Sequence, residues 1–374
     1  MNKILLLLIT NISITLAFSQ GIKFNDDLYD SHEEWEVNDL GFTDNLPSSH
    51  SMRKYCPKPG DQGNSGSCVG WANAYAAMSI IFNKKFDLSS DITKNSLLAF
   101  DPYFIYSLIY MHYENDCSEG THSHMALDTL HFYGCKRKVF PEITACNSSI
   151  GDKSKYFARE FKIKNYYPVP KMFFNKEVNL MEKVNLLKDK ISQDNPLVIG
   201  ASTFGTIDKV ALKSSGLWDS YSNENDRGGH AMCVVGYDDN KFGGSFEVMN
   251  SWGNHWGDEG FLWIKYDDFI RKVNRIFLIE TYDLEPFKID YKTCYLGNCK
   301  NGYGFLKYNE NSFYEGEFRN GKFDGIGIKR EVNGIEYVGR WNNGKKDGIF
   351  ILYNSKKDIS YKVTYNNDLL MDKQ

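Results

Sequence analysis

Past residue 20 the sequence has no apolar run near the ~18 residues that span a bilayer, so no internal membrane helix is expected. It also lacks a dominant charge. Lys and Arg total 44 against 48 Asp and Glu, a formal net charge of −4, which argues against nucleic acid or an anionic membrane as the main partner. No cluster of cysteine, histidine and carboxylate has metal-ligand spacing, so His122, His124 and His131 read as surface histidines and no metal is expected. Gly243-Gly244 is not followed by the Lys-Ser/Thr of a phosphate loop and reads as a turn; nothing calls for a cofactor. What remains is a globular composition, with 42% hydrophobic, 25% charged and 15% aromatic residues in 374. That length suggests two or three domains of roughly 150 residues each.

The first residues set the compartment. Lys3 precedes the apolar run Ile4 to Ile9, and Ala17 and Ser19 are small residues suited to a signal-peptidase site before Gln20. Residues 1–19 are therefore expected to be a signal peptide, and the mature chain to be secreted or periplasmic, where disulfides form. Eight cysteines, an even number, suggest a paired framework in such a chain. Residues 20–45 are polar and acidic and read as a short lead-in.

Downstream, Val69 to Phe82 is an alanine-rich, proline-free run suited to a buried helix. Met125 to Tyr133 and the amphipathic Val178 to Ser192 predict two more helices. Leu197 to Gly200, Met232 to Tyr237, Phe246 to Met249 and Gly260 to Lys265 predict strands. Helices precede strands, an α+β order. The C-terminal part repeats. Tyr291, Tyr314, Tyr337 and Tyr361 recur at intervals of 23, 23 and 24, each with an aromatic residue four positions on. Tyr314 to Phe318 alternates like a half-buried strand, and Asn320-Gly321, Asn333-Gly334 and Asn343-Gly344 supply tight turns.

Three short segments carry chemistry. Cys68 opens the predicted helix, where the positive helix end should lower its pKa, and a glycine-rich loop with Gln62 precedes it. His230 stands at the entry of an apolar strand, where neutral imidazole can take and return a proton. Asn250 ends another strand, two residues before Trp252, and can orient the ring. Nucleophile, base and orienter together outweigh the reading of Cys68 as a buried structural cysteine.

These segments resemble the papain family of cysteine peptidases. Gln62, Gly63, Gly66, Ser67 and Cys68 match its Gln-Gly-x-x-Gly-Ser-Cys segment, His230-Ala231 its His-Ala motif, and Asn250 to Phe261 its Asn-Ser-Trp-Gly-x-x-Trp-Gly-x-x-Gly-Phe motif. The resemblance implies a two-lobed fold, a helical lobe against a β-barrel-like lobe, over residues 46–285. It implies Cys68 as nucleophile, His230 as acid and base, Asn250 as orienter, and Gln62 with the Cys68 N–H as oxyanion hole. Trp256 would line the primed side of the cleft, and Gly120 would bind substrate backbone. Glu119, in place of a family glycine, hints at a preference for basic side chains. Ser65 replaces a family cysteine, which leaves Cys117 free or paired elsewhere. With Cys68 a thiol and Cys233 its expected buried companion, Cys56, Cys117, Cys135, Cys146, Cys294 and Cys299 remain to pair, with Cys294–Cys299 across a hairpin. Residues 20–45 are too short for the family's usual inhibitory propeptide, so the enzyme is active on export or restrained by this lead-in.

Residues 286–374 resemble MORN repeats through Tyr314, Gly316, Phe318, Gly321, Gly325 and Gly327, and again through Tyr337, Gly339, Trp341, Gly344 and Gly348. The outer copies are degenerate. This implies an antiparallel β-hairpin module with a protein or lipid-surface ligand. Taken together, the sequence points to a secreted cysteine endopeptidase acting on protein or peptide. The alternatives are an aminopeptidase or Cys-His acyl transferase on the same fold, or a non-catalytic binding protein acting through the repeats.

Overall fold

In the computed structural model, residues 21–36, 46–85, 95–96, 99–110, 117–138, 150, 155, 158–212, 215–219, 226–282, 294–297, 299–309, 312–354 and 359–373 are described. The expected signal peptide and Cys146 lie outside them.

Three helices build one lobe. The first runs from Cys68 to Lys85 without a break, with its Trp71–Met78 stretch wound as π-helix between two α-helical pieces. Its small, apolar residues allow burial on every side, and Cys68 through Met78 are all buried. The second helix, Pro102–Ile109, is started by Asp101, whose carboxylate accepts the N–H groups of Tyr103 and Phe104 at 3.0 and 3.2 Å. Pro102 at its first position loses no hydrogen bond there. The third is Ser123–Phe132.

The other lobe is an antiparallel sheet. Strands β2 (Ile163–Pro168), β7 (Val273–Thr281), β3 (Leu197–Phe204), β4 (Asp226–Asp238), β5 (Ser245–Met249) and β6 (Phe261–Lys265) lie in that order, and β1 (Ser49–Ser51) pairs with β4. The amphipathic helix Leu180–Ser192, capped by the Asn179 side chain, packs beside β4. Residues of both lobes join one apolar core. The lead-in is more than a polar tail, because Ile22, Tyr29 and Trp35 belong to that core.

The C-terminal part is a second, eight-stranded antiparallel meander. Its strands are β8 (Cys294–Gly297), β9 (Gly302–Asn309), β10 (Ser312–Arg319), β11 (Lys322–Arg330), β12 (Ile335–Asn342), β13 (Lys345–Asn354), β14 (Ile359–Asn366) and β15 (Leu369–Lys373). Asn320-Gly321 and Asn343-Gly344 take the consecutive positive φ angles that a two-residue hairpin turn requires. Aromatic residues from successive strands of the meander meet edge to face. Tyr314 lies 5.7 Å from Trp341, Trp341 5.3 Å from Phe350, and Phe350 5.5 Å from Tyr365. Cys294 and Cys299 form a disulfide with their Cα atoms 5.5 Å apart.

Cysteine pairing is sparser than the even count suggests. Cys117 is disulfide-bonded, whereas Cys56 and Cys135, counted among the residues left to pair, are buried thiols like Cys68 and Cys233. Burial raises the pKa of each, so these thiols pack as small apolar groups. His122, His124 and His131 are half-buried rather than superficial, and the His122 and His124 rings stack at 5.1 Å. Among the described residues no group of three or more His, Cys, Asp or Glu is placed to hold a metal.

Candidate active site

The predicted site residues converge where the Cys68 helix begins against β4 and β5. His230 lies on β4, and its Nε2 meets Asn250 Oδ1 at 2.7 Å. Because the amide oxygen only accepts, Nε2 carries the hydrogen, and Nδ1 of the neutral ring is left as an acceptor. That Nδ1 is buried and has no hydrogen-bond partner among the described residues. The next residue, Ala231, donates its N–H to Cys68 Sγ at 3.5 Å. Trp252 stacks on the imidazole at 4.7 Å, and Trp256 meets Trp252 at right angles, 5.1 Å away. Trp252 thus covers the His230–Asn250 bond from water. Trp256 is buried behind it.

Gln62 is tied to the same corner from three sides. Its N–H donates to the Ser251 carbonyl at 2.9 Å, its Oε1 accepts from Ser251 Oγ at 2.6 Å, and its Nε2 donates to the Ser65 carbonyl at 2.7 Å. Ser251, which the sequence marks only as a motif position, therefore orients the Gln62 amide. Gly253 N–H bonds to the Gly60 carbonyl at 2.9 Å and closes the loop.

A segment absent from the sequence-based site list completes it. Gly21–Phe24 runs extended across the cleft between the two lobes. Ile22 N–H donates to the Gly229 carbonyl at 3.1 Å, and Lys23 N–H to the Thr121 carbonyl at 2.8 Å. The Gly21 backbone, with that of Ala231, Val69 and Cys68 itself, favours the Cys68 thiolate. The approach is close. A methyl group on Gly120 would lie 1.9 Å from the Gly21 carbonyl oxygen, and one on Gly21 would lie 2.2 Å from that of Gly66. Gly120 thus faces the chain's own backbone here. Lys23 Nζ pairs with Glu119 at 2.9 Å on the cleft rim.

Burial at this site reverses one expectation. The helix start was expected to lower the Cys68 pKa, but burial pushes it from 9.0 up to about 11, only partly countered by the backbone N–H groups of Ala231 and Gly21. Burial likewise lowers His230 from 6.5 to about 4, against the opposing effect of its Asn250 bond. Sulfur and imidazole are both neutral in this closed arrangement.

The papain family cysteine protease model matches residues 46–276, and the chain belongs to that family. An uncharacterized peptidase C1-like protein of Acanthamoeba polyphaga mimivirus is 25% identical over 218 residues, 55% of this chain and 63% of that protein. The chain thus spans less than two thirds of this relative. Xylellain, a cysteine protease from Xylella fastidiosa, shares the fold with a TM-score of 0.55 at 21% identity, over 71% of this chain and 96% of xylellain. A procathepsin B of Trypanosoma congolense gives a TM-score of 0.51 at 17% identity, covering 70% and 87%.

Proposed function

We propose that this protein hydrolyses peptide bonds through Cys68, His230, Asn250 and Gln62, and that Gly21–Phe24 holds it latent. The observation that supports the catalytic reading is the His230–Asn250 bond at 2.7 Å, which leaves Nδ1 as the ring's acceptor, on a strand whose next residue, Ala231, donates to Cys68 Sγ at 3.5 Å. Once the cleft opens, Nδ1 takes the thiol proton and the thiolate attacks the substrate carbonyl carbon. The new oxyanion is held by Gln62 Nε2 and the Cys68 N–H. The amine leaves with the proton from His230, and a thioester remains on Cys68. Water, deprotonated by His230, attacks the thioester; the acid departs and the thiol is restored. The Lys23–Glu119 contact supports the reading that the rim near Glu119 favours basic side chains. The expected signal peptide of residues 1–19 would deliver the enzyme outside the cytoplasm.

The test is labelling with an epoxide-type cysteine-protease inhibitor under reducing conditions. Wild type should carry the label on Cys68, and Cys68→Ala should carry none. Equal labelling of the two proteins overturns the catalytic reading.

A further inference from the structure

Arg137 occupies an unusual position for a cation. Its guanidinium lies 4.3 Å from the centre of the Phe100 ring, 4.9 Å from Phe161 and 5.4 Å from Phe82, and the residue is 3% exposed. The backbone pins it there. Arg137 bridges to Phe100, Asp101 N–H bonds to the Lys136 carbonyl at 3.0 Å, and Lys138 N–H bonds to the Ala99 carbonyl at 2.7 Å. An aromatic cage attracts a guanidinium, but a cation this deeply buried also needs an opposite charge. The opposite charge comes from the other sheet. Glu315 Oε1 on β10 lies 3.2 Å from Arg137 Nε, and both side chains are 2% exposed.

The face of β10 that bears Glu315 is buried well beyond this pair. Cross-strand partners place Phe305, Phe313, Glu315, Ile328 and Val338 on one side of β9–β12, and all five are buried. The repeat aromatics Tyr314 and Trp341 occupy the opposite side. One strand further, on the same side, Ile349 of β13 is 50% exposed. Burial of this side therefore falls off between β12 and β13.

We infer that the C-terminal sheet is an intramolecular partner of the helical lobe, seated by the β9–β12 face that carries Glu315, and that it supplies the counter-charge for Arg137. The seat lies close to the nucleophile helix. Asp101, ion-paired with Lys136 at 2.7 Å, caps the Pro102–Ile109 helix, and a methyl group on Gly70 would lie 2.4 Å from the Pro102 carbonyl oxygen.

The test uses the full chain with a protease recognition sequence spliced into residues 283–290. After cutting, the two parts should co-elute on gel filtration. Glu315→Met or Arg137→Met alone breaks the Arg137–Glu315 ion pair while keeping one of its charges buried, and the parts should separate. The double variant Arg137→Met with Glu315→Met should restore co-elution, because an apolar pair can replace a buried ion pair of similar volume. A single variant that fails to fold, beside a double variant that folds and co-elutes, supports the inference equally. Separation of the cut wild type, co-elution of both single variants, or a double variant no better than the singles overturns it. Because none of these readouts involves peptidase activity, the outcome is independent of the catalytic reading.

Discussion

Gln62 contributes to the proposed site through an amide whose oxygen is held by Ser251 Oγ, so its nitrogen faces the Cys68 end of the loop in a fixed orientation. Losing one oxyanion donor typically costs about 100- to 1000-fold in kcat. Gln62→Ala should therefore lower kcat by that order with little change in KM, as measured by steady-state hydrolysis of a fluorogenic peptide by the opened enzyme. A fall confined to KM would remove Gln62 from the oxyanion role. Cys68, His230, Asn250 and Gln62 were legible in the sequence because their spacing is fixed by short motifs. Gly21 was not. A glycine recruited for its missing side chain leaves no chemical signature, and the backbone it lies against, Gly66 and Gly120, is distant in sequence. The direction of the Cys68 pKa shift was illegible too, since it is set by burial in the folded chain, which outweighs the backbone N–H groups around the sulfur.

Among the elements, the helices and strands with a clear apolar run were readable, including Leu180–Ser192 and β3 to β6. Strand β7 was not, because Asn274, Arg275 and Glu280 interrupt its apolar pattern while its pairing with β2 and β3 fixes it from both sides. The Pro102–Ile109 helix went unread because its eight residues are too few to show a period; its cap and Pro102 were the only signals. The extended Gly21–Phe24 segment owes its place to backbone bonds and to Ile22, which is 6% exposed in the cleft. A carboxylate at that position would be buried without a partner. Ile22→Glu should therefore displace the segment and speed epoxide labelling of Cys68 at least tenfold in a timed assay. An unchanged labelling rate would mean that this segment does not restrain the enzyme.

For the molecule as a whole, pH is the simplest global probe. Burial holds His230 and His124 at about 4 in the fold, against 6.5 for exposed imidazole. For His124 the stacked His122 and the nearby His32 act in the same direction, and Asp128 opposes them. The unfolded chain binds more protons between these values, so the stabilisation is complete above pH 6.5 and is lost as pH falls towards 4. Thermal melts should show Tm falling over that window, with a shallower slope for His124→Asn. A Tm independent of pH across it would show that these rings are not held neutral. The two-sheet division was legible from the 23-residue period, but the seating of one sheet on the helical lobe was not. It depends on Arg137 and Glu315, which lie 178 positions apart in sequence and belong to no shared motif.

The closed cleft has one consequence for time. Acylation requires a substrate carbonyl carbon to reach the sulfur, and in the closed arrangement Ile22 and Lys23 already occupy the Gly229 and Thr121 carbonyls on the two sides of the cleft. In the proposed reading a substrate therefore enters only after the covering segment has left. Its residence is set by how often the chain opens, and the enzyme cannot shorten that interval by turnover.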